Sequence, residues 1–209
     1  MSIKAVVFDL GNVIFRYDLE RFIDAYSKKI PAGAKESIGK IMLEYSDLAS
    51  LYEKGNISTP DFYKTLARET HYTGSYDEFH FVWNDIFEPA DPEITEILKE
   101  LSGKYKLGML SNTNELHIEY LKTKYPEIFA LFDKAHLSYE MHMRKPDDEI
   151  YREVIKYYGL KPKEIFFTDD VRQNVTAAQR NGMAAYLFTS AQDLKQQLTM
   201  NKLQLTING

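Results

Sequence analysis

Ala5-Val6-Val7-Phe8-Asp9-Leu10-Gly11-Asn12 decides the fold. Four apolar residues without polar alternation make a short β-rich run of the kind buried on both faces, as in the strands of a parallel sheet. The run ends on a carboxylate, and Gly11 permits a sharp exit. Two later runs end in the same manner, at Leu110-Ser111-Asn112-Thr113-Asn114 and at Phe166-Phe167-Thr168-Asp169-Asp170. An open parallel sheet binds ligands just beyond the carboxyl ends of its strands, so these three polar ends, far apart in sequence, are expected to meet at one site.

Working outward, Asp18 stands before Leu19, Phe22, Ile23, Tyr26 and Ile30, which recur at helical spacing with Asp18 as N-cap. Further helices are expected from Ala34 to Tyr52, from Pro60 to Glu69 with Thr59 as cap, and from Tyr76 to Phe87. No β-rich run interrupts Arg16 to Glu88, so this stretch reads as a four-helix insert. The α/β pattern resumes with a helix after Asp91-Pro92 and a strand from Tyr105 to Leu110. It continues with a helix from Glu115 to Lys124, a short strand from Lys134 to Ser138, and a helix led by Pro146 and closed by Gly159. A strand at Ile165-Phe166-Phe167, a helix from Asn174 to Arg180 and a strand from Ala184 to Phe188 complete the reading. The expected fold is a doubly wound, mainly parallel Rossmann-like α/β sheet. Its catalytic core spans residues 1–15 and 89–209, and an all-helical cap subdomain spans 16–88.

The 209 residues suffice for one substantial core plus the insert, and 44% apolar content can fill both. A net charge of -5 with both signs interspersed and no basic run argues against nucleic acid and anionic membranes as partners. The chain has no cysteine, which removes disulfides, thiolate catalysis and zinc-thiolate sites. No apolar stretch approaches the roughly 18 residues of a membrane span, and the start enters a strand instead of a signal peptide. A cytoplasmic protein, monomeric or a weak homodimer, acting on a small molecule is the expectation. His71, His80, His117, His136 and His142 show no metal-ligand spacing that competes with the acidic residues.

Each polar motif alone has an ordinary structural explanation. An Asp after a strand is often a turn or cap residue, Ser111-Asn112-Thr113-Asn114 could cap the next helix, and Lys145 before Pro146 could be solvated. Asp169-Asp170 is less ordinary, because adjacent carboxylates repel unless solvated or shared with a cation. Their order along an α/β chain is what matters. The series Asp9-Leu10-Gly11-Asn12-Val13, Ser111-Asn112, Lys145-Pro146 and Asp169-Asp170 resembles the four motifs of the haloacid dehalogenase superfamily, and it covers nearly the whole chain. The helical insert is similar to that superfamily's C1-type cap. Leu110-Ser111-Asn112-Thr113-Asn114, Leu137-Ser138-Tyr139-Glu140 and Met143-Arg144-Lys145-Pro146 resemble the bacterial α-D-glucose-1-phosphate phosphatase branch.

The resemblance implies a Mg²⁺-dependent phosphatase for a small phosphorylated metabolite. Asp9 would be the nucleophile, forming an aspartyl phosphate that divides one difficult hydrolysis into two steps. By motif alignment the metal ligands are the carboxylates of Asp9 and Asp170 and the backbone carbonyl of Gly11, with Asp169 and Asn174 orienting metal-bound water. Ser111, the backbone N–H groups around Asn112, and the Lys145 ammonium would stabilise charge on the transferring phosphoryl group.

One position departs from the pattern. Most phosphatases of the superfamily carry a second Asp two residues after the nucleophile as acid and base, and here that residue is Gly11. A sugar 1-phosphate, whose anomeric oxygen leaves as a stabilised hemiacetal alkoxide, suits a site lacking this acid. Two alternatives stay open: a 2-haloacid dehalogenase-type hydrolase in which Asp9 attacks carbon, and a phospholigand-binding pseudoenzyme suggested by Gly11. In the cap, Glu53 and Trp83 are possible sugar contacts, but Phe79, Val82, Trp83 and Phe87 have the spacing of helix packing and take no specificity role.

Overall fold

In the computed structural model residues 2–32 and 47–205 are described. The first strand, β1 (Ala5–Phe8), is wholly buried. The chain then passes through a short strand, β2 (Phe15–Tyr17), and its described residues go on to form helices α1 (Leu19–Ser27), α2 (Asp47–Glu53), α3 (Thr59–Thr70) and α4 (Tyr76–Asn84). It returns along β3 (Phe87–Ala90) into α5 (Pro92–Leu101) and β4 (Lys106–Ser111). Next come α6 (Glu115–Lys124), α7 (Pro126–Phe129), β5 (Lys134–Leu137), α8 (Ser138–Met141) and α9 (Asp148–Tyr158). The last elements are β6 (Ile165–Asp169), α10 (Arg172–Arg180), β7 (Ala184–Leu187) and α11 (Ala191–Met200).

Five strands form one parallel sheet in the order β5-β4-β1-β6-β7. Central placement explains the unbroken apolar run of β1: Val6 and Phe8 belong to the core on one face, Ala5 and Val7 to the core on the other. The chain moves outward from β1 through β4 to β5, then crosses back to β6 and leaves through β7. That reversal falls between β1 and β6, so a crevice opens at their carboxyl ends. The expected doubly wound sheet is present, and its register sets Asp9 and Asp169 at neighbouring strand ends.

The insert differs from its sequence reading at both borders. Instead of a strandless stretch, β2 and β3 pair antiparallel, Phe15 opposite Ala90 and Tyr17 opposite Phe87. A three-residue strand is too short to show a period, and each half of this ribbon finds its pairing partner far away in sequence. Helix α4 accordingly stops at Asn84, and Phe87 packs from a strand. Ser58, not Thr59, caps α3, its Oγ accepting from the Asp61 N–H at 3.3 Å. Of the helix expected from Ala34 to Tyr52, residues 34–46 lie outside the described residues. Helices α7, α8 and α11 were not expected; the first two are one turn long, and α11 joins the core through Leu194 and Leu198.

Aromatic rings fill the insert, as the spacing of Phe79 and Trp83 implied. Phe22 meets Trp83 edge-on at 4.9 Å between centroids, and Tyr52 stacks on Phe62 at 4.3 Å. Among the described residues no helix is long and apolar enough to cross a membrane.

Gly108 on β4 marks the tightest packing beneath the sheet. A Cβ there would lie 2.0 Å from the Tyr158 hydroxyl oxygen and 3.3 Å from Val7 Cγ2, and both side chains are buried. Gly108→Ala is expected to destabilise the fold by about 1–3 kcal/mol through overpacking, read from the urea midpoint at unchanged m-value.

Candidate active site

Asp9 follows β1 immediately, and its carboxylate Oδ1 accepts the Leu10 N–H at 2.7 Å. The next turn is held by Asn12, whose left-handed backbone (φ 54°) an asparagine tolerates well. The Asn12 side chain works in two directions: Nδ2 donates to Asp170 Oδ2 at 3.1 Å, and Oδ1 accepts the Tyr17 N–H at 3.4 Å. One amide thereby ties the β1 loop to the end of β6 and to the start of the ribbon.

Lys145 sits at the centre. Its ammonium is 1% exposed and lies 2.8 Å from Asp9 Oδ1 and 2.6 Å from Asp169 Oδ2. Its backbone is clamped by Asn112, whose Oδ1 accepts the Lys145 N–H at 2.8 Å and whose Nδ2 donates to the Lys145 carbonyl at 2.9 Å. Asp169 is saturated by donors: besides Lys145 it accepts from the Asn174 side chain at 3.0 and 3.1 Å and from the Val171 N–H at 2.8 Å. Ser111 is buried at the end of β4, and its hydroxyl makes only a long 3.5 Å contact to the Asn112 carbonyl. Ser138 braces the same loop, accepting the Thr113 N–H at 2.9 Å and donating to the Thr113 carbonyl at 3.0 Å.

Carboxylate oxygens of Asp9, Asp169 and Asp170 lie within 4.8 Å of one another. Burial pushes the Asp9 carboxyl up, Lys145 pulls it back, and Asp169 and Asp170 push it further up. Asp170 is raised by burial, opposed by the hydrogen bond from Asn12, with Asp169 adding to the rise. Burial alone would lower Lys145, but Asp169 and Asp9 outweigh it and hold the ammonium charged. Three carboxyl groups thus crowd one ammonium, and burial with mutual repulsion resists the full ionisation of Asp9 and Asp170. An all-oxygen set of this compactness fits a hard divalent cation, Mg²⁺ in particular.

A cavity of about 370 Å³ opens from this cluster between the sheet and the insert. Asp9, Gly11, Ser111, Asn112, Lys145, Asp170 and Asn174 line its floor, so the geometry brings together every expected site residue except Asp169, which lies beneath. The upper wall was legible in the sequence only in part. It carries Tyr17, Tyr52, Trp83 and Phe87, an ion pair from Arg144 to Glu53 on α2 at 2.9 Å, and His117 on α6. Glu53 and Trp83 are singled out in the sequence as possible sugar contacts and then assigned to packing, while nothing local marks Arg144 and Glu53 as partners.

His117 joins the insert to the core. Its Nε2 donates to the Trp83 carbonyl at 3.1 Å, so Nδ1 is the acceptor for Asn114 Nδ2 at 3.1 Å. Its ring also stacks on Trp83 at 5.2 Å. A second proton would break the Asn114 bond, and burial lowers this imidazole from 6.5 to about 4.

Two measurements follow from these contacts. The unfolded chain takes the His117 proton near 6.5 and the folded protein only near 4, so this contribution to stability is full above 6.5 and is lost as pH falls through that window. His117→Gln is expected to flatten the fall of Tm over the same range. Lys145→Met, which leaves buried carboxylates without their cation, is expected to lower stability by about 3–5 kcal/mol in metal-free neutral buffer, read by urea unfolding.

Comparison with known proteins gives a consistent picture. The family model of the haloacid dehalogenase-like hydrolases matches residues 3–182. D-ribitol-5-phosphate phosphatase of Bacteroides thetaiotaomicron is 27% identical over 205 residues, 95% of this chain and 98% of that protein. Drimenol cyclase drtB of Aspergillus calidoustus is 27% identical over 204 residues, but the chain, 94% covered, spans only 36% of its length. The solved structure of HAD family enzyme bt-2542 from Bacteroides thetaiotaomicron, in complex with magnesium and inorganic phosphate, superposes with a TM-score of 0.81 at 30% identity, over 90% of this chain and 95% of that one.

Proposed function

The chain belongs to the haloacid dehalogenase-like hydrolase family, and on that premise we propose that it is a Mg²⁺-dependent phosphomonoester hydrolase working through an aspartyl phosphate on a small phosphorylated metabolite. The observation that carries this reading is the buried Lys145 ammonium between Asp9 and Asp169, with Asp170 completing three carboxylates within 4.8 Å at the crevice of a parallel sheet. The similar phosphatase and the structural neighbour holding magnesium and phosphate add support.

In this reading Asp9 and Asp170 hold the cation with their carboxylates and Gly11 with its carbonyl. The cation, when bound, keeps Asp9 ionised and neutralises phosphate charge. Asp9 attacks phosphorus, and water then hydrolyses the acyl phosphate. Ser111 and the Asn112 backbone N–H take phosphate oxygens, while Lys145 offsets charge on the phosphoryl group. The Asn112 side chain is already committed to Lys145, which makes it a positioning group. Asp169 and Asn174, bonded to each other, hold the Lys145 ammonium in place and flank the cation.

The helical stretch 16–88 acts as a C1-type cap over a core of residues 1–15 and 89–209, and it excludes water from the reaction. Gly11 favours a leaving group that departs easily, which supports a sugar 1-phosphate, and the similar D-ribitol-5-phosphate phosphatase supports a phosphorylated sugar or polyol more broadly. Every site residue named here comes from one copy of the chain, so a monomer or a weak homodimer would serve equally.

A phosphomonoester panel with and without Mg²⁺ tests the reading. Turnover is expected to vanish with chelator and to fall by about 10³-fold or more in Asp9→Asn, as removal of a nucleophile does. Glucose 1-phosphate is expected to exceed glucose 6-phosphate, and equal or reversed preference would refute the sugar 1-phosphate assignment. Metal-independent release of halide from a 2-haloacid would instead identify a dehalogenase, and binding of phosphate and Mg²⁺ without any turnover would identify a pseudoenzyme.

A further inference from the structure

Gly11 lacks the side chain that would face the leaving group, and the space is filled. A Cβ built on Gly11 would lie 2.8 Å from Tyr17 Cε1, 3.3 Å from Cδ1 and 4.0 Å from Cζ, the carbon that bears the hydroxyl. An aspartate placed at residue 11 would extend its carboxyl roughly 2.4 Å beyond Cβ by standard bond lengths. The edge of the Tyr17 ring therefore takes up part of the space that carboxyl would enter, with the hydroxyl carried on the carbon 4.0 Å from that Cβ. Tyr17 also lines the same cavity as Asp9, Ser111, Lys145 and Asp170.

Two backbone contacts and one ring contact place it. The Tyr17 N–H donates to Asn12 Oδ1, Tyr17 pairs with Phe87 in the ribbon, and the two rings meet edge-on at 6.4 Å and 69°. The residue is 43% exposed although it lines the cavity.

Building on the phosphatase reading, we propose that Tyr17 is a catalytic residue that replaces part of the function lost at Gly11: its hydroxyl donates a hydrogen bond to the ester oxygen of the leaving group. As a bond forms between Asp9 and phosphorus, the bond from phosphorus to that oxygen breaks and its electron pair stays on the oxygen. Tyr17 stabilises the growing charge through its O–H, and water supplies the proton that completes the alcohol. Such a donor matters most when the leaving oxygen is a poor one and little when it is already stabilised.

Tyr17→Phe keeps the ring and removes only the hydroxyl, so comparing it with wild type on p-nitrophenyl phosphate and on glycerol phosphate tests the idea. The expected result is a loss of about 10- to 100-fold in kcat on glycerol phosphate, below the loss of about 10²–10³ for a fully enclosed donor, with p-nitrophenyl phosphate within about threefold of wild type. Equal losses on both substrates, or none on either, would overturn the proposal. Tyr17→Leu, which also removes the ring, is expected to reproduce the glycerol phosphate loss. Wild-type p-nitrophenyl phosphate turnover that disappears in Asp9→Asn keeps the two questions apart. Without it the phosphatase reading fails; with it, a substrate-independent Tyr17→Phe result rejects Tyr17 alone.

Discussion

A lysine ammonium with almost no solvent contact, held between the carboxylates of Asp9 and Asp169, is the constraint around which the rest is arranged. Removing three charges from water is expensive, and only close pairing and complete hydrogen bonding make it tolerable. The surroundings supply both. Asn112 fixes the lysine backbone, Asn174 and the Val171 N–H saturate Asp169, and the parallel sheet sets the two aspartates on adjacent strand ends. Lys145 itself comes from the segment between α8 and α9, so the cluster gathers three distant stretches of chain.

The same cluster explains why the site is receptive to ligands. One ammonium faces three carboxylates, and burial penalises each uncompensated charge. In the proposed reading a divalent cation and a phosphate would correct this imbalance together, the first against the aspartates, the second against Lys145 and the donors of the Ser111 loop. Binding partners of opposite sign thus favour each other at one crevice.

Much of this was legible in the chain because it follows from short-range order. Apolar runs ending in Asp9, Ser111 and Asp169 specify strand, exit and edge in a few residues each, and a parallel sheet then fixes where those edges meet. Lys145 was legible only through resemblance, since a lysine before proline carries no local sign of burial. Of the cavity's upper wall, Glu53 and Trp83 were legible as possible contacts but their partners were not. Glu53 with Arg144, and Trp83 with His117 and Asn114, are pairs defined by how the insert sits on the core, and no periodicity encodes that. The ribbon of β2 and β3 escaped for the same reason, each strand having too few residues to declare itself without its mate.

That ribbon has an architectural consequence. Because Phe15 lies opposite Ala90, the chain leaves the sheet and comes back to it at practically one place. Everything between those two points is topologically a side loop, and shortening, lengthening or exchanging it would require no rethreading of the five strands. Such an arrangement lets the insert diversify while the five-stranded core stays as it is, and Tyr17, seated in the ribbon, stands where the two meet.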